Sequence, residues 1–182
     1  MIKLQFVLEK NITQLQKKAT KNLQKECFSD VPKDSIEKDF ISKEFARIFA
    51  YEDNKIIGML GLFKRDIVFD GKKITIGGMG GVCVVAKARK KGIATQMLKK
   101  GLKILQKERC AVACLNVDLK KKAYKLYEKA GFKFIKRKIS FENIKGEIKY
   151  DTGTMFIPVC SKSIYYFIMK SKKTFHYGIG YW

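Results

Sequence analysis

The chain has 182 residues, 46% of them hydrophobic, with 39 Lys and Arg against 17 Asp and Glu for a net charge of +22. That length suits one domain, residues 1–182, with a sizeable core. Two prolines and no Gly/Ser- or Pro-rich tract argue against a long linker. No apolar run approaches the roughly 20 residues that cross a bilayer, and the opening MIKLQFVLEKNITQLQKK lacks a signal peptide's apolar core and cleavage site. A cytoplasmic protein without a membrane partner is therefore expected. The charge invites a nucleic-acid reading through counterion release. Basic residues are nonetheless spread along the chain among acidic ones, so nucleic acid is not the expected partner.

In chain order, IKLQFVL at residues 2–8 reads as a first strand. Ile12, Leu15, Ala19 and Leu23 then follow helical spacing, with Asn11 as a cap. After the loop SDVPKDS, the segment SIEKDFISKEF reads as a short second helix. ARIFAYED and KIIGMLGLFKRD are strand-like and join at Asp53-Asn54, and Asp70-Gly71 marks a second hairpin turn. GGMGGVCVV continues as a strand although Gly77, Gly78, Gly80 and Gly81 weaken it, which makes sense where backbone must approach something closely. Ile93, Met97, Leu98, Leu102 and Leu105 give the next helix its apolar side, and CAVACLNV is a short apolar strand. A helix over KKKAYKLYEKA ends at Gly131, FKFIKRKISF and GTMFIPV close as strands, and an aromatic tail, residues 160–182, ends on Trp182. This order predicts a mixed α/β sheet with helices packed on it.

Cys27, Cys83, Cys110, Cys114 and Cys160 form an odd set without a CxxC spacing, and His176 is the one histidine. Reduced, mostly buried thiols are expected, with neither a metal site nor a disulfide framework.

The stretch VVAKARKKGIATQMLKK places Arg89, Lys90 and Lys91 where a helix begins, although the macrodipole disfavours cations there. An anion resolves the conflict. The first-turn amides have no helical partners and point outwards, Gly92 permits close backbone approach, and the cations neutralise a diphosphate. There is no GxxxxGK[ST], and no GxGxxG after the first strand.

The run Arg89-Lys90-Lys91-Gly92-Ile93-Ala94 resembles the [RQ]-x-x-G-x-[GA] acetyl-coenzyme A motif of the GNAT superfamily of N-acetyltransferases. Downstream, Ala123 to Phe132 is similar to that superfamily's A-x-x-L-Y-x-x-x-G-F signature, with Lys120 where the family often has Asn. The likeness runs roughly from Ile2 to Val159 and implies a GNAT-like core: a mixed, mostly antiparallel central sheet with a splayed parallel strand pair, flanked by helices. It further implies acetyl-CoA as cosubstrate, with Val82, Cys83 and Val84 offering backbone groups to pantetheine. The pyrophosphate would rest on Arg89, Lys90, Lys91, Gly92, Ile93, Ala94 and Thr95. Tyr127 falls on the family's general-acid position, with Tyr124 one turn earlier as the competing tyrosine.

The acceptor side is less defined. Many relatives carry a glutamate on the motif strand, but Ile74 to Val85 contains no acid and Gly80 sits near that position. His176, Glu52, Glu142 and Glu147 are weaker candidates for the base. The late apolar strand and terminal Trp182 resemble aminoglycoside 2-prime N-acetyltransferases, in which the terminal carboxylate reaches the site. Asp151 matches a substrate-binding acid of that group, whereas Gly180 stands where it has an aspartate. The implied roles are catalysis for Tyr127 and Trp182, and acceptor binding for Asp151 and Trp182; a packing role for Trp182 stays open. The expected activity is acetyl transfer to a primary amine of a small molecule in a ternary complex, without a metal; a homodimer is admitted. A non-catalytic acyl-CoA sensor and a peptide-amine acetyltransferase are the alternatives.

Overall fold

Apolar-rich runs between positions 46 and 84 make three strands that pair in sequence, because Asp53-Asn54 and Asp70-Gly71 reverse the chain at each hairpin. Asp53, Asn54, Asp70 and Gly71 all take positive φ, the conformation tight hairpins demand. The computed structural model describes residues 1–120 and 123–182. Within them the elements are β1 (Lys3–Leu8), α1 (Gln14–Cys27), α2 (Lys33–Lys38), β2 (Ala46–Glu52), β3 (Lys55–Phe69) and β4 (Lys72–Val84). There follow α3 (Ile93–Lys107), β5 (Val112–Asn116), α4 (Tyr124–Lys129), β6 (Lys133–Phe134) and β7 (Ile139–Glu142). The last are β8 (Ile148–Asp151), β9 (Thr154–Pro158), α5 (Lys162–Lys170) and β10 (Phe175–Ile179).

The main sheet has the order β1-β2-β3-β4-β5-β9-β6, and a smaller one has the order β10-β7-β8. Within the main sheet β4–β5 is the parallel neighbour pair; the others run antiparallel. That pair is short. It joins Ile76, Gly77 and Gly78 to Val112, Ala113 and Cys114, while β4 runs on to Val84 and β5 to Asn116. A register shift opposite Met59–Gly61 bends β4 just past this point. The fold is thus the mixed α/β sheet with a splayed parallel pair that the sequence implied.

Helix α3 packs on this sheet through buried Ile93, Met97, Leu98, Gly101 and Leu105. Gly77 lets Leu105 pack close, since a Cβ on it would lie 2.8 Å from Leu105 Cδ1 and force that side chain to shift. Helix α1 is capped by Thr13, not by Asn11. The Thr13 hydroxyl accepts from the Gln16 amide while the Gln16 side chain accepts from the Thr13 amide. The second helix stops at Lys38, short of the predicted Phe45, and its continuation turns towards β2.

Two expectations need correcting. Cys27 and Cys83 form a disulfide that ties the end of α1 to β4, so the thiols are not all reduced; Cys110, Cys114 and Cys160 are free. The aromatic tail, for which residue spacing predicts no element, carries α5 and β10, and β10 lies parallel to β7. Its aromatic rings join a second core cluster with Phe156 and Ile139. Lys121 and Lys122, at the start of the predicted fourth helix, lie outside the described residues. Among the described residues no helix is long and apolar enough to cross a membrane.

Candidate active site

Beyond Gly78 the chain of β4 leaves β5, passes through a short 3-10 turn at Ala86–Ala88 and enters α3 at Gly92. Gly92 caps the helix with φ of 73°, and a Cβ there would meet open space. The glycine therefore answers to backbone conformation and access, not to crowding. Lys90 also has a positive φ, 64°, which is costly for a residue with a side chain and is often found at functional turns. The amides of Ile93, Ala94 and Thr95 begin the helix and have no partner within it. The Glu26 carboxylate accepts from the Ala86 amide at 2.8 Å and fixes the preceding turn.

Of the residues singled out from sequence, Val82, Cys83, Val84, Arg89, Lys90, Gly92 to Thr95, Tyr127, Asp151 and Trp182 line one large cleft. Lys91 is not among its walls and faces Glu52 at 3.5 Å. Arg89 folds back, donating through Nε to the Val84 carbonyl at 2.9 Å. Cys83 contributes backbone only, since its sulfur is bonded to Cys27 beside Leu23.

Tyr127, at 8% exposure, reaches the cleft from α4 and packs edge-to-face with Phe132. Burial pushes its hydroxyl up to about 12, so the phenol stays protonated at neutral pH. Tyr124 instead sits against Phe134 and is not part of the cleft wall. Lys120 donates its amide to the Asp118 carboxylate at 2.9 Å.

The glycines of β4 make room for the end of the chain. A Cβ on Gly78 would fall 2.5 Å from the indole Nε1 of Trp182, and one on Gly80 would fall 3.2 Å from the Trp182 main-chain carbonyl carbon. Asn116, at the end of β5, donates to the Trp182 main-chain oxygen at 3.1 Å. Trp182 thus sits in the opening between β4 and β5. Its ring stacks on Phe63 and lies under Arg65, whose guanidinium also donates to the carbonyls of Tyr177, Ile179 and Gly180. The indole Nε1 is buried without a hydrogen-bond partner among the described residues. Gly180, with φ of 76°, leaves no room for an aspartate, because a Cβ would sit 2.8 Å from Ile41 and the Ser42 amide. Asp151 accepts from the Tyr181 hydroxyl, and burial raises the Tyr181 pKa.

Sequence reasoning missed Glu44. Its carboxylate is held at two points by Arg47, whose other nitrogen donates to Thr20 at 2.5 Å. A Cβ on Gly61 would lie 2.8 Å from Glu44 Oε2, and Gly61 pairs with Gly80 across β3 and β4. The side chain is 14% exposed and borders the cleft. No motif marks it: it lies on an irregular segment and reaches the site only through tertiary packing. His176 bonds Ser140 at 3.0 Å and lies outside the cleft wall, as do Glu142 and Glu147.

A family profile described as "Acetyltransferase (GNAT) domain" matches residues 10–135. The chain belongs to the GNAT family of acetyltransferases. No curated protein matches it in sequence. Among solved structures, Eis1 from Mycobacterium abscessus is 13% identical with a TM-score of 0.59, over 77% of this chain and 32% of that one. The chain therefore spans about a third of that protein's length. The Escherichia coli GNAT family N-acetyltransferase YhbS, in complex with CoA, is 15% identical with a TM-score of 0.60, over 98% of this chain and 88% of that one. The aminoglycoside N-acetyltransferase AAC(6')-Iy, in complex with CoA, is 16% identical with a TM-score of 0.58, over 75% of this chain and 91% of that one. These likenesses show the fold.

The cleft fits the cosubstrate such a family uses. It combines parted strands, a first helical turn whose amides have no helical partner, an open Gly92 and nearby cations.

Proposed function

We propose that the chain is an acetyl-CoA-dependent N-acetyltransferase that acts on a primary amine of a small molecule. The observation that carries this reading is the junction of parted β4 and β5 with the basic turn before α3, in one cleft with Tyr127. Pantetheine would add to the free edge of β4 at Val82, Cys83 and Val84. The diphosphate would rest on the amides from Lys90 to Thr95, with the side chains of Lys90 and Arg89 around it.

The chemistry is attack of a neutral amine on the thioester carbonyl, with the C–N bond forming and the C–S bond breaking. Tyr127 gives its proton to the departing thiolate, for which a phenol held protonated by burial is suited. The second proton on nitrogen is lost as the amide forms. Trp182 and Asp151 contribute to acceptor binding or deprotonation at the cleft wall. Support for this role is the contact of Trp182 with Gly80, the place where many relatives carry a glutamate. Aminoglycoside-like amines are the first acceptors to try, given the late-strand likeness and the AAC(6')-Iy neighbour.

The experiment is thiol release from acetyl-CoA across a panel of amines. Amine-dependent release supports the reading. Tight CoA binding without release for any amine favours a non-catalytic acyl-CoA sensor, and release only with peptide amines moves the acceptor class.

A further inference from the structure

The motif strand supplies no acid, yet an acetyl acceptor arrives as an ammonium and must lose a proton before attack. Gly80 leaves the usual place for a carboxylate empty of side chain. The structure fills the neighbouring place from another segment. Gly61 is the cross-strand partner of Gly80, and Glu44 Oε2 stands over Gly61 at the distance of 2.8 Å from its would-be Cβ. Cross-strand Cβ positions are about 4.5–5.5 Å apart, so Glu44 is one rung from the position β4 vacates. The edge of Phe63 lies within 3.3 Å of both would-be Cβ positions and forms the apolar floor between Glu44 and Trp182.

We infer that Glu44 is the proton acceptor for the incoming amine, an inference that rests on the acetyl-transfer reading. The carboxylate is orientated rather than free, since Arg47 bonds both oxygens and Thr20 anchors Arg47. Each oxygen keeps a further lone pair for a substrate N–H. The charged groups facing Glu44 are Arg47, which lowers its pKa, and Glu9, which raises it; burial outweighs both, and the pKa lies above the ordinary carboxylate value. Glu44 is therefore a stronger base than an exposed glutamate. The ammonium proton passes to Glu44 and on to solvent, leaving the nitrogen lone pair for the carbonyl, while Trp182 keeps a binding role.

The test is Glu44→Gln, assayed by thiol release with the amine that the wild type uses best, alongside acetyl-CoA binding and melting temperature. The expected result is a 100-fold or larger loss of kcat, with acetyl-CoA affinity within about twofold of wild type. The acidic limb of the wild-type pH–rate profile should vanish in the variant. Glu44→Asp, which keeps the charge, should recover part of kcat and part of that limb; it also serves if Glu44→Gln fails to fold. A rise in amine KM with kcat retained would make Glu44 a binding group and overturn the assignment, as would an unchanged pH profile. Absence of release by the wild type with every amine overturns the underlying reading, whereas release by the wild type and by Glu44→Gln alike overturns only this inference.

Discussion

The two walls of the cleft are built in different ways. The wall we assign to the cosubstrate is one continuous stretch: strand, 3-10 turn, glycine cap and helix succeed one another from Ile76 to Thr95. The wall we assign to the acceptor is assembled from pieces far apart in sequence, with Glu44 before β2, Phe63 on β3, Asn116 ending β5, Asp151 ending β8 and Trp182 after β10. A local wall can be written as a motif because its geometry follows from helix capping and strand register. A dispersed wall has no such grammar, and it can change substrate without disturbing the first wall.

Substitutions that hit one wall and spare the other can break this comparison. The largest effect is expected at the shared end of the cleft. Tyr127→Phe should lower kcat about 100-fold or more, with acetyl-CoA binding unchanged in calorimetry. Because the Tyr127 pKa is raised from 10.0 to about 12, no basic limb from this group should appear below pH 10. The same shift favours unfolding only as pH climbs from 10.0 towards about 12, where the unfolded phenol ionises first. Full turnover by Tyr127→Phe would remove the residue from the mechanism.

Next in size, Cys27→Ser tests the tether between α1 and the cosubstrate strand. Opening a cross-link with a sequence separation of 56 residues should cost about 2–4 kcal/mol by denaturant unfolding. A variant as stable as the oxidised wild type would show that the disulfide is not formed in solution. Smaller again, Gly78→Ala overpacks the Trp182 indole and should cost about 1–3 kcal/mol, impairing acceptor KM more than acetyl-CoA affinity. Equal damage to both would contradict the separation of the walls. The smallest effect belongs to Lys91→Ala, whose exposed pairing with Glu52 contributes less than about 1 kcal/mol. Its weak influence on acetyl-CoA binding should fade further as salt rises.

How much was legible follows from the same distinction. The hairpins at Asp53-Asn54 and Asp70-Gly71 and the amphipathic α3 are local patterns that appear where their residues predict them, and α4, observed over Tyr124–Lys129, ends at Gly131 as read. The crowding of glycines in β4 signalled close approach, but only the fold reveals that Leu105 and Trp182 are what approach. The first cap was misread because Thr13, two residues past Asn11, makes the reciprocal pair with Gln16. Cys27 and Cys83 were read as separate thiols since no spacing rule joins residues on a helix end and a strand. Tail helix α5 was hidden by aromatic residues, which fit strand and helix alike. Glu44 carries no pattern at all; its role depends on Gly61 lacking a side chain across the sheet.

The central claim is that the parted strands and the basic turn hold acetyl-CoA. Calorimetric titration of acetyl-CoA into the wild type and Gly92→Val tests it most directly, because Gly92 has open space around it but a φ of 73° that a β-branched residue resists. The account predicts saturable wild-type binding and a roughly 5- to 30-fold weaker affinity in the variant, for a backbone strain of roughly 1–2 kcal/mol. Equal affinity in both proteins, or no binding by the wild type, would contradict it.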